Sequence, residues 1–233
     1  MKFGDGVVRP FSWSRSCIPP VVSVVESDAA VRQSLHALIR RAGWRARTFG
    51  SAAEFLTQPR SLVPNCLLLD AQLPDIGGLA LQAQMMDRPE TPIIFILSEN
   101  DVPMTVRAMK AGALEVLTKP LREDAIRSAI GDAVTLSAEI LGRESEISRL
   151  RDRYTSLSSR ERQVLELVIQ GFLNKQVGRE LGISEITVKA HRGRMMRKMA
   201  AASLPQLVNM AISLELSLLP MRRSPTATPS LGG

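Results

Sequence analysis

Short apolar runs alternate with amphipathic segments through the first half of the chain. Five such runs predict β-strands, at residues 21–25, 45–49, 66–70, 92–97 and 114–118. Between them apolar residues recur at helical spacing, as in the predicted helix 29–41, where Val31, Leu35 and Leu38 fall on one side. Nearly continuous apolar strands separated by helices are typical of a parallel sheet covered on both faces. The pattern therefore predicts a doubly wound, five-stranded α/β domain.

The last third of the chain contains only helical patterns. Ser158 and Glu161 have the spacing of a capping box, which predicts the start of a first helix. Asn174 is predicted to cap a short second helix that stops at Gly182, and Ser184 is predicted to cap a longer third helix. A helix, a short helix, a tight turn and a further helix form the helix-turn-helix arrangement. With a last helix over residues 204–216, where Pro205 is tolerated in the first turn, the sequence predicts an all-α domain of four helices.

The third of these helices has a narrow apolar stripe and a cationic opposite side. The stripe consists of Val188, Met195 and Met199. Its opposite side combines cations with small residues, namely Lys189, Ala190, Gly193, Arg194 and Arg197. Cations can neutralise phosphates while small residues let the backbone approach base edges in the DNA major groove. A solvated basic surface helix is the alternative interpretation of this pattern.

The distribution of charge favours DNA binding. The chain of 233 residues carries a net charge of +7, and residues 151–233 contain 13 Lys+Arg against 6 Asp+Glu, so they hold all of the excess. Such clustering is the electrostatic footprint of a nucleic-acid-binding domain. No apolar run reaches the roughly 18 residues of a membrane span, and no secretion signal is recognisable. Cys17 and Cys66 have no metal-like spacing, and we expect a reduced, cytoplasmic protein without membrane partners.

Carboxylates and one lysine follow the predicted strands of the α/β domain. Glu26 and Asp28 come after the first strand, Asp70 ends the third, and Lys119 follows the fifth. In a parallel sheet these side chains should converge at the carboxyl edge. Carboxylate oxygens can hold Mg²⁺, and an aspartate beside Mg²⁺ can accept a phosphoryl group as an acyl phosphate. Taken one by one, each residue could equally be a solvated strand end.

Motifs in both halves resemble known families. The C-terminal part resembles the LuxR-type DNA-binding domain over about 60 residues. The resemblance rests on residues 157–165, Gly171, 174–176, 181–184, 187–192 and 197–199. The α/β part resembles the receiver domain of two-component response regulators. This resemblance rests on residues 68–78, 101–104, 108–113 and 119–120. Together they resemble a FixJ/NarL-type response regulator, which implies a transcription regulator rather than an enzyme.

The resemblance carries residue roles with it. It implies that Asp70 is the phosphoacceptor, that Lys119 lies beside the phosphate, and that the Lys119–Pro120 bond is cis. It also implies double-stranded DNA, a second copy of the chain, and a histidine kinase or another protein as partners. For DNA we expect phosphate contacts from Lys175, Thr187, His191 and Arg192, and base contacts from Lys189 and Arg194, with Arg197 beside them.

Three positions depart from the receiver pattern. Ser27 stands where the family has a second acid that binds Mg²⁺, so Mg²⁺ binding should be weak or absent. Leu97 replaces the switch hydroxyl at the end of the fourth strand, and Val116 replaces the aromatic switch residue of the fifth. Leucine cannot hydrogen-bond a phosphoryl oxygen, which favours a degenerate receiver over a phosphorylation switch. A signalling adaptor with weak DNA binding is a further alternative. An aspartyl-phosphate phosphatase is disfavoured, because such enzymes usually have a second carboxylate two residues after the nucleophile and this chain has Gln72 there.

The sequence divides the chain into five parts. These are an irregular tail (1–19), the receiver-like domain (20–132), a helical linker (133–154), the LuxR-type domain (155–217) and a disordered tail (218–233). The linker carries apolar residues at heptad spacing, interrupted by Ser137, Glu144 and Arg151. Such a helix could form a dimerising coiled coil, or it could lie on its own domains.

Overall fold

The computed structural model describes residues 18–99 and 101–214. The predicted C-terminal tail and almost all of the predicted N-terminal tail lie outside these ranges. The chain forms two compact units, residues 1–142 and 143–233.

The first unit is a five-stranded parallel sheet in the order β2-β1-β3-β4-β5, with helices between the strands. This confirms the predicted α/β fold. Its elements are β1 Val21–Val25, α1 Ala29–Arg41, β2 Arg45–Phe49, α2 Ala52–Leu56, β3 Asn65–Asp70, α3 Gly78–Gln84, β4 Ile93–Leu97, α4 Val102–Lys110 and β5 Glu115–Thr118.

The central strands are buried because helices cover both faces of the sheet. Every residue of β1, β3 and β4 is buried. Alternate residues point to opposite sides, so Val24 and Leu68 enter one apolar core while Leu69 and Phe95 enter the other. This packing leaves the carboxyl edge of the sheet as the place where polar side chains collect.

Helix α5, Glu123–Thr155, is one continuous helix of 33 residues that contains the predicted linker. Its first turns bury Ile126, Ile130 and Ala133 in the core of the first unit. Ile126 and Ile130 precede the predicted linker at the same heptad spacing that suggested dimerisation, and Ala133 is the first linker residue of that pattern. In this part of α5 the apolar positions therefore serve the domain's own core.

The second unit contains the four predicted helices, α6 Ser159–Ile169, α7 Asn174–Leu181, α8 Glu185–Met199 and α9 Leu204–Ser213. The capping box of Ser158 and Glu161 is present, as predicted. The predicted cap Asn174 is wrong: Leu173 occupies the N-cap position, and its backbone N–H donates to Oε1 of Gln176 at 2.8 Å. Gln176 thus satisfies the backbone N–H of the N-cap residue, which is the reciprocal half of a capping box.

Helices α7 and α8 are held close together by a glycine. A Cβ atom at Gly178 would lie 2.7 Å from the carbonyl oxygen of Ile183. Gly182 has φ +67° in the intervening turn, a left-handed conformation that favours glycine. The sequence Gly178 to Ile183 thus fixes the tight turn that positions α8.

Candidate phosphoacceptor site and DNA-binding surface

Lys119 joins the carboxylates of two strands at the carboxyl edge of the sheet. Its Nζ donates to Asp70 Oδ2 at 2.9 Å and to Glu26 Oε2 at 3.1 Å. The other oxygen of Asp70, Oδ1, accepts from the backbone N–H of Gln72 at 2.7 Å. Glu26 is 1 % exposed and Asp70 is 6 % exposed. The peptide bond between Lys119 and Pro120 is cis, as predicted.

Burial and crowding shift the ionisation of this cluster. Burial raises the pKa of Glu26 above its ordinary value, and the hydrogen-bonding contact with Asp70 raises it further. Burial lowers the pKa of Lys119, but the hydrogen bonds to Asp70 and Glu26 outweigh it, so this pKa ends above its ordinary value. One ammonium group therefore balances two crowded carboxylates.

Asp28 does not join this cluster. Its Oδ1 accepts from the backbone N–H groups of Ala30 at 2.7 Å and Val31 at 3.0 Å, so it caps α1. These two hydrogen bonds lower the pKa of Asp28. Within residues 18–99 and 101–214, no group of three or more His, Cys, Asp and Glu side chains could hold a metal ion. The three carboxylates predicted as metal ligands therefore do not form one cluster, because Asp28 caps α1 instead.

Two of the positions that depart from the receiver pattern, Leu97 and Val116, are apolar and pack in or against the core, while the third, Ser27, is exposed. Leu97 is 2 % exposed and packs in the same core as Phe95. Val116 is half-buried and packs against that core, and Ser98 is exposed. In the part of the chain that the structure describes, the hydrogen bonds of the Asp70 carboxylate go to Lys119 and to the backbone of Gln72. The described residues of β4 therefore bring no hydroxyl group to this carboxylate.

Helix α8 has the two sides that the sequence predicts. Val188, Met195 and Met199 are fully buried in the core of the second unit. The opposite side is exposed along its length, through Lys189, Ala190, Gly193, Arg194 and Arg197. A Cβ atom at Gly193 would meet nothing within 4 Å. We call this exposed side the α8 face.

The residues expected to contact phosphates lie at the borders of the α8 face and on α7. Lys175 is exposed in the first turn of α7. The hydroxyls of Thr187 and Ser184 are 2.8 Å apart, and Arg192 Nη1 donates to Asn174 Oδ1 at 3.1 Å. His191 Nδ1 is buried without a hydrogen-bond partner in this structure. Lys175 is thus free to meet a polyanion, whereas Arg192 already ties α8 to the start of α7.

Comparison with known proteins gives the family of both units. Residues 22–131 match the family model of the response regulator receiver domain, and residues 155–211 match that of bacterial regulatory proteins of the luxR family. Response regulator protein TmoT of Ectopseudomonas mendocina is 44 % identical over 199 residues, which cover 85 % of this chain and 90 % of TmoT. Transcriptional regulatory protein FixJ of Azorhizobium caulinodans is 40 % identical, over 82 % of this chain and 91 % of FixJ. The structure of response regulator StyR superposes with a TM-score of 0.75 at 43 % identity, over 83 % of this chain and 98 % of StyR.

The chain belongs to the response regulators. It is a response-regulator transcription factor of the FixJ type, with a receiver domain followed by a LuxR-type DNA-binding domain. No helix in the described part of the response regulator is long and apolar enough to cross a membrane.

Receiver domains typically bind Mg²⁺, and the acidic cluster of this response regulator offers a reduced site for it. In proteins Mg²⁺ is usually held by one or two carboxylates together with waters and phosphate oxygens. Glu26 and Asp70 supply two carboxylates. Burial, and after it the contact with Asp70, raises the pKa of Glu26, and a divalent cation beside it would favour its ionised form. The residues therefore fit a bound Mg²⁺ that takes its ligands from these two side chains, without Asp28.

Two residues of the response regulator have a role that sequence reasoning missed. Lys198 contributes to the basic excess, but its Nζ also donates to Glu161 Oε2 at 2.7 Å and to the Ser156 carbonyl at 3.0 Å. This lysine therefore ties α8 to α6. Ile186 is 80 % exposed in the first turn of α8. Its exposure had no sequence signal beyond its helical spacing from Ala190 and Gly193.

Proposed function

We propose that this response regulator binds double-stranded DNA with the α8 face in the major groove, as a homodimer in the bacterial cytoplasm. Lys189 and Arg194 contact base edges, with Arg197 beside them. Lys175, Thr187, His191 and Arg192 contact phosphates or position those contacts. The exposed cations and the small residues between them support this assignment, because they combine phosphate neutralisation with close approach of the helix. Two copies would read two half-sites about one helical turn apart.

We further propose that phosphorylation of Asp70 does not control DNA binding, and that dimerisation or a protein partner does. The observation that carries this proposal is the buried leucine at the end of β4, Leu97, where a hydroxyl would be needed. A phosphoryl group on Asp70 could gain a charge-assisted contact with Lys119. It would find no switch hydroxyl to move, and a modification shifts an equilibrium only by its different interactions with the two states.

A phosphorylation switch at Asp70 is the second candidate, and one observation favours it. The Asp70 carboxylate lies 2.9 Å from Lys119 Nζ, and both groups sit at the carboxyl edge of the sheet. This arrangement supports acceptance of a phosphoryl group from a histidine kinase. Glu26 and Asp70 would hold Mg²⁺, and the ion would neutralise negative charge on the transferred group. The two candidates share the chemistry at Asp70 and differ in its effect on DNA binding.

Direct binding measurements test the proposal. Fragments bound by the full-length protein would be selected from genomic DNA, and their affinity compared with that of scrambled duplexes. We expect strong preference for the selected sites and, with Mg²⁺ and beryllofluoride present to stand in for a phosphoryl group on Asp70, equal affinities for wild type, Asp70→Asn and Asp70→Ala. Weak and salt-labile binding to all duplexes would instead indicate a signalling adaptor. A large difference among the Asp70 variants would favour the phosphorylation switch.

A further inference from the structure

A large apolar side chain stands in the exposed first turn of α8. Ile186 is 80 % exposed, although Val188, two residues later, is fully buried. Single exposed apolar residues are common on protein surfaces and need no explanation by themselves. The position of Ile186 is nevertheless informative, because the N-terminal residues of a recognition helix are those that contact base edges.

Ile186 lies on the α8 face and not beside it. Residues Ile186, Ala190, Gly193 and Arg197 follow the spacing i, i+4, i+7, i+11, which keeps them on one side of a helix. All four are exposed, and the buried stripe of Val188, Met195 and Met199 lies on the opposite side. The centre of the cationic face therefore consists of one apolar and two small residues, Ile186, Ala190 and Gly193, followed by Arg197.

The neighbouring charges leave Ile186, Ala190 and Gly193 accessible. Lys189 Nζ lies 3.4 Å from Glu185 Oε1, one turn apart, so the acid beside Ile186 is already matched by a cation. Ala190 and Gly193 carry too little side chain to cover the isoleucine, and a Cβ atom at Gly193 would meet nothing within 4 Å. Ile186 is therefore the largest apolar group that the α8 face presents to a partner.

Double-stranded DNA offers one apolar group of matching chemistry in its major groove. The 5-methyl group of thymine lies there among hydrogen-bonding groups, and apolar side chains read it by contact. We infer that Ile186 is a specificity-determining residue, whose side chain contacts a thymine methyl group in each half-site. This inference rests on the proposed placement of α8 in the major groove. It predicts that the selected half-site contains a thymine whose methyl group contributes to affinity.

Uracil substitution tests this contact without changing any hydrogen bond. In the selected site each thymine would be replaced in turn by uracil, which lacks only the methyl group, and Kd would be measured with full-length wild type and Ile186→Ala. For wild type we expect about a four-fold loss at one position per half-site, the equivalent of burying one methyl-sized group at ~0.8 kcal/mol. For Ile186→Ala the same substitution should have no effect.

Two further variants separate the contact from effects on folding. Ile186→Val keeps a branched apolar group and should retain part of the uracil effect. Ile212→Ala removes an isoleucine that is 56 % exposed on α9, and it should keep the full effect. Circular dichroism should be the same for all variants, because both isoleucines are exposed.

The outcomes are distinguishable. Uracil sensitivity that is absent in wild type, or that persists unchanged in Ile186→Ala, would overturn the assignment of Ile186 while leaving sequence-specific binding by α8 intact. Failure to select any preferred sequence would overturn the proposed function and this inference with it.

Discussion

The two units hold their charged functional residues in opposite ways. In the receiver, Asp70 and Glu26 are buried and already bonded to Lys119. On the α8 face, Arg194 and Arg197 are exposed to solvent. The receiver site is satisfied within its own domain, so an incoming phosphoryl group must rearrange existing contacts. The exposed cations of the α8 face can still bind phosphate groups, as expected of a surface that binds a polyanion.

Under the proposed function, this difference separates the residues that could accept a phosphoryl group from the residues that would respond to it. Asp70 and Lys119 are in hydrogen-bonding contact, whereas the buried Leu97 and half-buried Val116 carry no polar side-chain group that could bond a phosphoryl group on Asp70. The α8 face is exposed in the fold of the second unit, so we expect it to bind DNA without a phosphoryl group on Asp70. Substitutions in the two units should therefore have separable effects on DNA binding.

Replacement of one α8 lysine should damage sequence preference more than any other single substitution outside the apolar core. Lys189→Ala should weaken binding to the selected site by about 1–3 kcal/mol, because a base contact of this kind discriminates by that amount. Binding to scrambled DNA should change much less. Competition binding with selected and scrambled duplexes measures both affinities.

Lys175→Ala is the matched control, since it removes an exposed lysine from α7 rather than from α8. It should weaken binding to all duplexes alike and reduce the slope of log K against log salt by about one unit. Equal losses on selected and scrambled DNA for both variants would contradict the division between base and phosphate contacts.

Restoring the receiver pattern should create the missing response. We expect the variant Ser27→Asp/Leu97→Thr/Val116→Phe to bind its DNA about ten-fold more tightly with Mg²⁺ and beryllofluoride, within the usual range of coupling between sites. The added acid supplies a Mg²⁺ ligand and the threonine supplies the hydroxyl. Fluorescence anisotropy on the selected duplex measures the change.

The same substitutions without Ser27→Asp provide an intermediate test, since Mg²⁺ should then bind less strongly. Threonine within the core carries a desolvation cost of about 1–3 kcal/mol if its hydroxyl lacks a partner, so the folded fraction must be measured in parallel. A folded triple variant without any response would show that these three positions do not explain the loss.

Gly193→Ala should separate the stability of the second unit from its function. The added methyl group meets nothing within 4 Å, and alanine is about 1 kcal/mol more favourable than glycine inside a helix. We therefore expect greater resistance to urea but equal or weaker DNA binding, because the helix backbone can then approach the groove less closely. Tighter binding together with greater stability would argue against a close approach at this position.

Acid should affect one buried carboxyl group of each unit in opposite ways, because the pKa values of Glu161 and Glu26 are shifted in opposite directions. The hydrogen bonds from Lys198 and from the backbone N–H of Ser158 lower the pKa of Glu161. Its stabilising contribution should be complete above the ordinary value of about 4.3 and lost as the pH falls through the lowered folded value. Burial raises the pKa of Glu26 in the folded state. At pH values above this raised pKa, the ionised carboxylate lowers the free energy of unfolding. This destabilisation is lost as the pH falls to the ordinary pKa of a glutamate.

Peptide-resolved hydrogen exchange between pH 7 and pH 3.5, corrected for the intrinsic exchange rate, reports each unit separately. Glu161→Gln should flatten the acid loss of protection in α6, and Glu26→Gln should leave α6 unchanged. An acid profile of α6 that is the same in Glu161→Gln as in wild type would show that other groups control it.

Much of this organisation could be predicted because it depends on local patterns. The strand 21–25 and the helix 29–41 are found with the predicted bounds, since their apolar residues repeat with the periods of a strand and a helix. The capping box of Ser158 and Glu161 is likewise a local signal. The carboxyl-edge cluster of Glu26, Asp70 and Lys119 agrees with the general rule for parallel sheets.

The misses concern contacts between residues that are distant in sequence or that have two uses. Asn174 does not cap α7, and its side chain instead accepts from Arg192, 18 residues away. Asp28 was predicted as a metal ligand because it follows β1, yet the same position also suits a helix cap. Lys198 pairs with Glu161 from another helix. Composition and periodicity carry no information about such pairings.

Phosphate-independent DNA binding can be tested through the affinity of the full-length protein for its selected DNA with and without Mg²⁺ and beryllofluoride, in wild type and Asp70→Asn. Beryllofluoride would stand in for a phosphoryl group on Asp70. The proposal predicts the same specific affinity in all four measurements. A large gain in wild type that Asp70→Asn lacks would show that phosphorylation is the switch in spite of Ser27, Leu97 and Val116, and the proposed control by dimerisation or a partner would be wrong.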